Sequence, residues 1–309
     1  MPEPLINWLN AQQENMLSLL IDLVNIDSNS FDKVGVDKVA DRLQSFFDNH
    51  DIPYETIPLT DHGDALRAVV SGGDGNRPIL LCGHRDTVFA TGEVEKRPFS
   101  TRDDKAFGPG VADMKPGLVI NAFILAAFHK FGGHPNPLVG LFTGDEEIGS
   151  PSSKDIIVAE SEGARLAFNS EPSRPSGNIV TKRKGGIFCH CAIRGVAAHS
   201  GGFFTEGRSA IEELAHKIQA LHALTDLERG TTINVGLVRG GQSVNTVADE
   251  ASCDIDIRYQ ETAERDDILT QVRTICETVS VAGTSSNFCI RGEFQPLNPS
   301  AQSSELFAL

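Results

Sequence analysis

The run "VGLFTGDEEIGS" places Asp145, Glu146 and Glu147 side by side directly after an apolar, strand-like segment. Neighbouring carboxylates repel, and burying them unpartnered is costly. The triplet therefore suits either a solvated loop or a bound cation. Three more clusters occupy the same kind of position. His84-Arg85-Asp86 follows "PILLCG", Asp113 lies in "GPGVADMKPG", and Glu171 follows "ARLAFNS". Singly, each has an ordinary reading: a satisfied polar histidine, a turn or helix cap, a solvated acid. Together, one imidazole and several carboxylates at strand ends suit Zn2+ or a similar divalent ion, which takes nitrogen from His and oxygen from carboxylate. Asp86 stands two residues after His84, so in an extended chain both side chains point the same way. A carboxylate there can accept the free ring N–H and fix the tautomer. Gly108, Gly110 and Gly117 flank Asp113 and permit unusual backbone angles. The segment lacks the GxxxxGK[ST] pattern of a phosphate loop.

Those residues need elements to carry them. The first part of the chain alternates helix and strand signals. Apolar residues at helical spacing (Ile6, Leu9, Met16, Leu19, Leu20, Leu23) predict an amphipathic helix over about 4–24, and a second covers about 34–49. Strand-like runs follow at "LRAVVSG", "PILLCGH" and "PLVGLFT", with a long apolar helix, "PGLVINAFILAAFHKF", between the last two. A helix at "SSKDIIVAES" and a strand at "ARLAFNSE" complete an α/β pattern: a largely buried mixed sheet flanked by helices. Ligands of open α/β sheets bind outside the carboxyl ends of the strands, which is the address shared by the four clusters.

The turn-rich "EPSRPSGN" breaks this pattern. A second unit then reads strand, helix, strand, strand, helix, strand, the ferredoxin-like βαββαβ order. The expected organisation is a first domain over 1–176, a second over 177–292, and a tail over 293–309 that starts a return to the first domain.

Composition limits the partners. The 309-residue chain carries a net charge of −15 with no Lys/Arg block, which argues against nucleic acid or an anionic membrane. No apolar run is long enough to span a bilayer. The N-terminal stretch lacks a basic region, a continuous apolar core and a cleavage site, so a cytoplasmic location is expected. The six cysteines form no CxxC pair and are read as buried, reduced thiols. In "CHC", Cys189 and Cys191 face one side of a strand and His190 the other, a core pattern rather than a metal tract.

"GHRDTV", "GPGVADMKPG", "GDEEIGS" and "SEPS", in this order, resemble the M20 family of co-catalytic zinc peptidases, and the glutamate carboxypeptidase (carboxypeptidase G2-like) branch in particular. "GVAAHSGG", "GGQSVNTVAD" and "DIDIRY" resemble that family's lid or dimerisation domain. The resemblance implies a zinc-peptidase-like catalytic domain with an inserted ferredoxin-like lid, two Zn2+ per chain, and a homodimer formed through the lid. It implies that His84 and Glu171 bind one zinc, Asp113 bridges both, and Glu147 binds the second. Asp86 orients His84, and Glu146 is the general base. His199 of the lid stabilises the oxyanion, in the family dimer from the partner chain. Asn245 and Arg258 hold the substrate's carbonyl and carboxylate, with Lys184 a weaker option. A cis peptide at Asp113–Met114 is also implied.

The implied activity is hydrolysis of an amide bond in a small peptide or N-acyl amino acid, releasing a C-terminal residue such as glutamate. A dipeptidase or N-acyl-amino-acid deacylase is the alternative within the family. The family's last zinc ligand is a histidine beyond the lid, and no histidine follows His222 here. A shortened chain with a weakened second zinc site, serving only as a binding or dimerisation module, is therefore the third expectation.

Overall fold

The computed structural model describes residues 3–73 and 75–308, which form two compact units, 1–176 and 177–309. The first unit contains helices α1 (Glu3–Asn10), α2 (Gln13–Val24) and α3 (Lys33–Asp48), then strands β1 (Tyr54–Ile57), β2 (Ala65–Val70) and β3 (Ile79–His84). The short helix α4 (Glu93–Lys96) and the hairpin β4 (Ser100–Arg102) and β5 (Lys105–Phe107) follow. Helix α5 (Lys115–Lys130), strand β6 (Leu138–Thr143), helix α6 (Lys154–Gly163) and strand β7 (Leu166–Asn169) complete it.

The sheet order is β1-β2-β6-β3-β7. β3 runs parallel to β6 and β7, whereas β1–β2 and β2–β6 are antiparallel. The mixed sheet agrees with the expected fold class. All of β6 is buried because both faces are covered. Leu23, Leu43, Phe47, Leu118 and Phe142 form the core on one face. Leu80, Val139 and Leu141 meet Ile156 and Ile157 of α6 on the other.

The expected helix over 4–24 is two helices. Backbone N–H of Ala11 bonds back to Asn7 and Trp8, and Gln12 leaves helical geometry at ψ 5°. On α1 it is Leu5 that is buried, while its neighbour Ile6 is exposed. β1 and the β4–β5 hairpin carried no periodic signal, since their residues are mostly exposed. Asp103 and Asp104 both take positive φ at the hairpin tip, a conformation Asp tolerates better than most residues.

The second unit contains β8 (Gly185–Arg194), β9 (Ala198–His199), α7 (Ala210–His222), β10 (Thr232–Gly240), β11 (Thr246–Val247), β12 (Glu250–Tyr259), α8 (Arg265–Glu277), β13 (Ser285–Phe294) and α9 (Ala301–Phe307). Its antiparallel sheet has the order β10-β12-β8-β13. That order and the βαββαβ succession are ferredoxin-like. Alternation along β8 and β12 sends Ile187, Cys189, Cys191, Ile255 and Ile257 into a core shared with Leu214 of α7 and Val272 of α8. His190 lies on the opposite face with Nδ1 2.6 Å from Asp254 Oδ1. Cys289 is exposed and Cys82 only half-buried, a correction to the uniformly buried thiols expected. On β13 it is Phe288 that points inward, which turns its neighbour Cys289 out.

Residues 293–298 stay on the second unit. β13 runs on to Phe294, Leu297 pairs with Arg183 in a backbone bridge, and Asn298 donates to the Gln260 carbonyl at 3.2 Å. Among the described residues no helix is long and apolar enough to cross a membrane.

Candidate metal centre

His84 is the last residue of β3 and is almost fully buried. Its backbone N–H meets Met114 Sδ at 3.2 Å, which seats it on the start of α5. Pro116 in the first helical turn lacks an N–H that would otherwise be unpaired, which favours starting the helix there. The Asp113–Met114 peptide is cis, as the resemblance implies. Gly117 allows this helix start to press against β7: a Cβ there would lie 2.2 Å from the Ser170 carbonyl oxygen. The contact sets Glu171, the next residue, beside His84.

Four carboxylates converge on the imidazole. His84 Nε2 lies 3.2 Å from Asp113 Oδ1, 3.4 Å from Glu171 Oε1 and 3.8 Å from Glu146 Oε2. Donor atoms of His84, Glu146 and Glu171 all fall within 4.8 Å of one another, as do those of His84, Asp113 and Glu147. Glu146 stands slightly farther from Nε2 than the expected ligands Asp113 and Glu171.

Asp86 lies beneath them, fully buried. Its Oδ1 is 3.3 Å from His84 Nδ1 and accepts the Glu146 backbone N–H at 3.1 Å. Its Oδ2 accepts the Glu147 N–H at 3.1 Å and the Ser30 hydroxyl at 2.7 Å. Asp86 thus holds both the imidazole, whose Nδ1 also lies 3.0 Å from its main-chain carbonyl oxygen, and the turn bearing the acidic pair. Burial alone would raise its pKa, but the donations from His84, Ser30 and Glu147 hold it below the ordinary carboxylate range.

Asp145 is buried, which excludes a surface role for it. Its Oδ2 accepts the backbone N–H groups of Ser152 at 2.7 Å and Ser153 at 3.1 Å, and its Oδ1 accepts the Ser153 hydroxyl. It ties the acidic turn Glu146–Ile148 to the start of α6.

The cluster as it stands is short of positive charge. Burial pushes the Glu147 carboxyl up to about 7, assisted by Asp113, Asp86 and Glu146 and offset in part by His84. Burial disfavours the His84 imidazolium, yet bonds to Asp113, Asp86 and Glu171 overcome it and raise the pKa strongly. Opposed shifts of this kind are what a divalent cation would relieve. One nitrogen and several oxygens fit the donor preferences of Zn2+. His84, Asp113, Glu147 and Glu171 would hold such ions.

The second-unit residues fall into two places. β9 and β11 pair through Thr246 and His199, and the Ser200 N–H donates to the Asn245 carbonyl at 3.0 Å, so His199 and Asn245 are neighbours. His199 Nδ1 accepts the N–H groups of Gly201 and Gly202, each at 3.1 Å, which leaves the ring proton on Nε2. Arg258 stands on another sheet, in β12. Its Nε is 2.8 Å from Asp256 Oδ1, and its guanidinium lies 5.3 Å from the Phe188 ring centroid and 5.2 Å from that of Phe294. Lys184 donates to the Gly230 carbonyl at 2.5 Å.

Sequence reasoning missed Ser30 and Lys115. "NIDSNSFD" reads as a loop, and Lys115, although inside "GPGVADMKPG", reads as an ordinary helix-start residue. Both are buried.

The fold and donor set define a two-unit α/β protein with an acidic cluster able to hold a metal at the strand ends of one unit and a ferredoxin-like second unit. Residues 181–284 match the profile of the peptidase dimerisation domain of the M20 family. The chain is 27% identical over 271 residues to carboxypeptidase G2 of a Pseudomonas strain, covering 86% of this chain and 64% of that protein. It is 31% identical over 198 residues to acetylornithine deacetylase of Myxococcus xanthus, covering 59% and 50%. The chain spans 64%, 62% and 50% of the lengths of three such relatives, well short of their full extent. A crystallised tripeptidase from Staphylococcus aureus superposes with TM-score 0.76 at 20% identity, over 96% of this chain and 82% of that one. An M20 family metallo-carboxypeptidase from Sulfolobus solfataricus gives 0.76 at 17%, over 95% and 81%. Residues 181–284 carry the peptidase dimerisation domain, and the chain as a whole is similar to M20 peptidases in sequence and fold.

Proposed function

We propose that this chain is the catalytic and lid portion of a di-zinc amidohydrolase that releases a C-terminal amino acid, such as glutamate, from a small peptide or N-acyl amino acid. The observation that carries this reading is the convergence of Asp113, Glu146, Glu147 and Glu171 on the buried His84, held from below by Asp86. His84, Asp113, Glu147 and Glu171 would hold the zinc ions.

Bound zinc would supply a Lewis acid for the scissile carbonyl and lower the pKa of water. Glu146 accepts a proton at its carboxylate from the attacking water and passes it to the leaving amine nitrogen. Its backbone N–H on Asp86 fixes the turn from which it acts. His199, with its proton on Nε2, donates to the carbonyl oxygen as negative charge develops. Asn245 orients the same carbonyl. Arg258, held by Asp256 and two aromatic faces, is a fork suited to a substrate carboxylate.

A deacylase is the second reading, favoured by the relatives described as acetylornithine deacetylase and succinyl-diaminopimelate desuccinylase. A homodimer through the second unit and a cytoplasmic site of action belong to the same proposal. β10 is an edge strand with Leu237 and Val238 exposed, a surface suited to strand pairing between copies. The test is elemental analysis with an activity screen. About two zinc ions per chain and cleavage of N-acyl-glutamate are expected. Zinc-bound protein that cleaves only N-acetyl or N-succinyl amino acids selects the deacylase. A chain that binds no zinc overturns the proposal, and a single-chain mass on gel filtration overturns the dimer.

A further inference from the structure

The loop between α2 and α3 is fastened along its length. Lys115 Nζ donates to the Ile26 carbonyl at 2.8 Å, and the Thr87 N–H donates to the Ser28 carbonyl at 2.8 Å. Asn29 Nδ2 reaches the Phe89 carbonyl at 3.0 Å, and Asp32 accepts the Gly35 N–H at 3.0 Å to cap α3. These bonds leave Ser30 little freedom. Its side chain is buried, and its hydroxyl donates to Asp86 Oδ2 at 2.7 Å from a position 56 residues away in sequence.

Asp86 must meet three demands: the imidazole of His84 and the N–H groups of Glu146 and Glu147. A carboxylate with two oxygens can rotate among such partners. The Ser30 hydroxyl closes the set as a side-chain donor to Oδ2, beside the Glu147 N–H on the same oxygen.

We propose that Ser30 is a positioning residue for the metal centre: through Asp86 it sets the orientation of His84 and of the Glu146–Glu147 turn. This rests on the metal reading above. Removing the hydroxyl leaves Asp86 one donor short in a buried place, and His84 and the turn lose their common reference. The consequence is weaker zinc binding, not simply lower stability.

The test titrates zinc against a chromophoric chelator on metal-stripped full chain: wild type, S30A, S30T, D86N and the S30A/D86N double variant. Metal-free unfolding midpoints are measured alongside. S30A is expected to weaken zinc about tenfold, in the range seen for outer partners of metal ligands, while S30T, which keeps the hydroxyl, binds as wild type. The double variant is expected to bind no worse than D86N, because Ser30 acts only through Asp86. Zinc affinity of S30A equal to wild type overturns the inference, as does full additivity of the two substitutions. So does a lowered midpoint with unchanged affinity, the mark of a purely structural serine. If S30A does not fold, S30C, a near-isostere with a weak donor, gives the same reading. A wild-type chain that binds no zinc overturns the metal proposal itself, a result distinct from all of these.

Discussion

At the scale of residues, neighbours in sequence have different work because their surroundings differ. Asp145 is buried and spends its oxygens on Ser152 and Ser153, Glu146 faces His84 at 3.8 Å, and Glu147 is grouped with Asp113. The prediction for Glu146→Ala follows from its assignment as base. Turnover should fall about 10²–10⁴-fold, the range for a positioned general base, with zinc content unchanged. Parallel assays of kcat and zinc check this, and a matching loss of zinc would reassign Glu146 as a ligand.

At the scale of elements, the second unit depends on a buried ion pair. Glu213 and Lys217 sit one turn apart on α7, both buried, with 2.8 Å between Oε1 and Nζ. Glu213 Oε2 also accepts the N–H groups of Ser280 and Val281, and Lys217 donates to the carbonyls of Ile275 and Thr278. The pair fastens the end of α8 and the turn after it to α7. Glu213→Ala strands a buried ammonium and should cost about 3–5 kcal/mol, read as a shift in the urea midpoint. The pH dependence has a definite sign. Burial opposes the Glu213 carboxylate, but Lys217 and the two N–H donors overcome this and hold its pKa below the ordinary 4.5. The unfolded chain therefore binds the proton first on acidification. Stability from this group is complete above about pH 4.5 and is lost as pH falls through the folded value. Urea midpoints measured from pH 6 down to 3 should fall for wild type and fall less for Glu213→Gln.

At the scale of the whole molecule, two units with separate cores imply two separable stabilities. Residues 177–309 expressed alone should fold, giving a cooperative thermal transition and dispersed amide NMR signals. A collapsed, non-cooperative spectrum would contradict the independence of that core. Chelation should act on one unit only. On the zinc proposal, chelation would leave Asp86, Asp113, Glu146, Glu147 and Glu171 around one imidazole, so calorimetry with EDTA should lower the first unit's transition and leave that of the second in place. At zinc a hundredfold above its dissociation constant the difference is about 2.7 kcal/mol.

Much of this was legible without coordinates. β3, β6 and α5 announce themselves through apolar runs, because elements buried on a sheet's inner faces must be apolar throughout. His84, Asp113, Glu146, Glu147 and Glu171 were legible because strand ends and glycine-bracketed loops are local features. β1 and the β4–β5 hairpin were not, since exposed strands have no apolar period to display. The break at Ala11–Gln12 has no proline or glycine to mark it.

The sequence by itself determined which side chains could form a metal centre and that a βαββαβ unit follows them, since both depend on residue type and on periods of a few residues. Only the tertiary structure decided that these groups meet. It brought Ser30 across 56 residues to Asp86, placed Lys115 under the same loop, and paired β9 with β11 so that His199 lies beside Asn245. It also kept residues 293–298 on the second unit. The reason is the range of the forces. Periodicity and turn chemistry act over a few neighbours, whereas buried hydrogen bonds between distant segments are selected only when packing has already brought their backbones together.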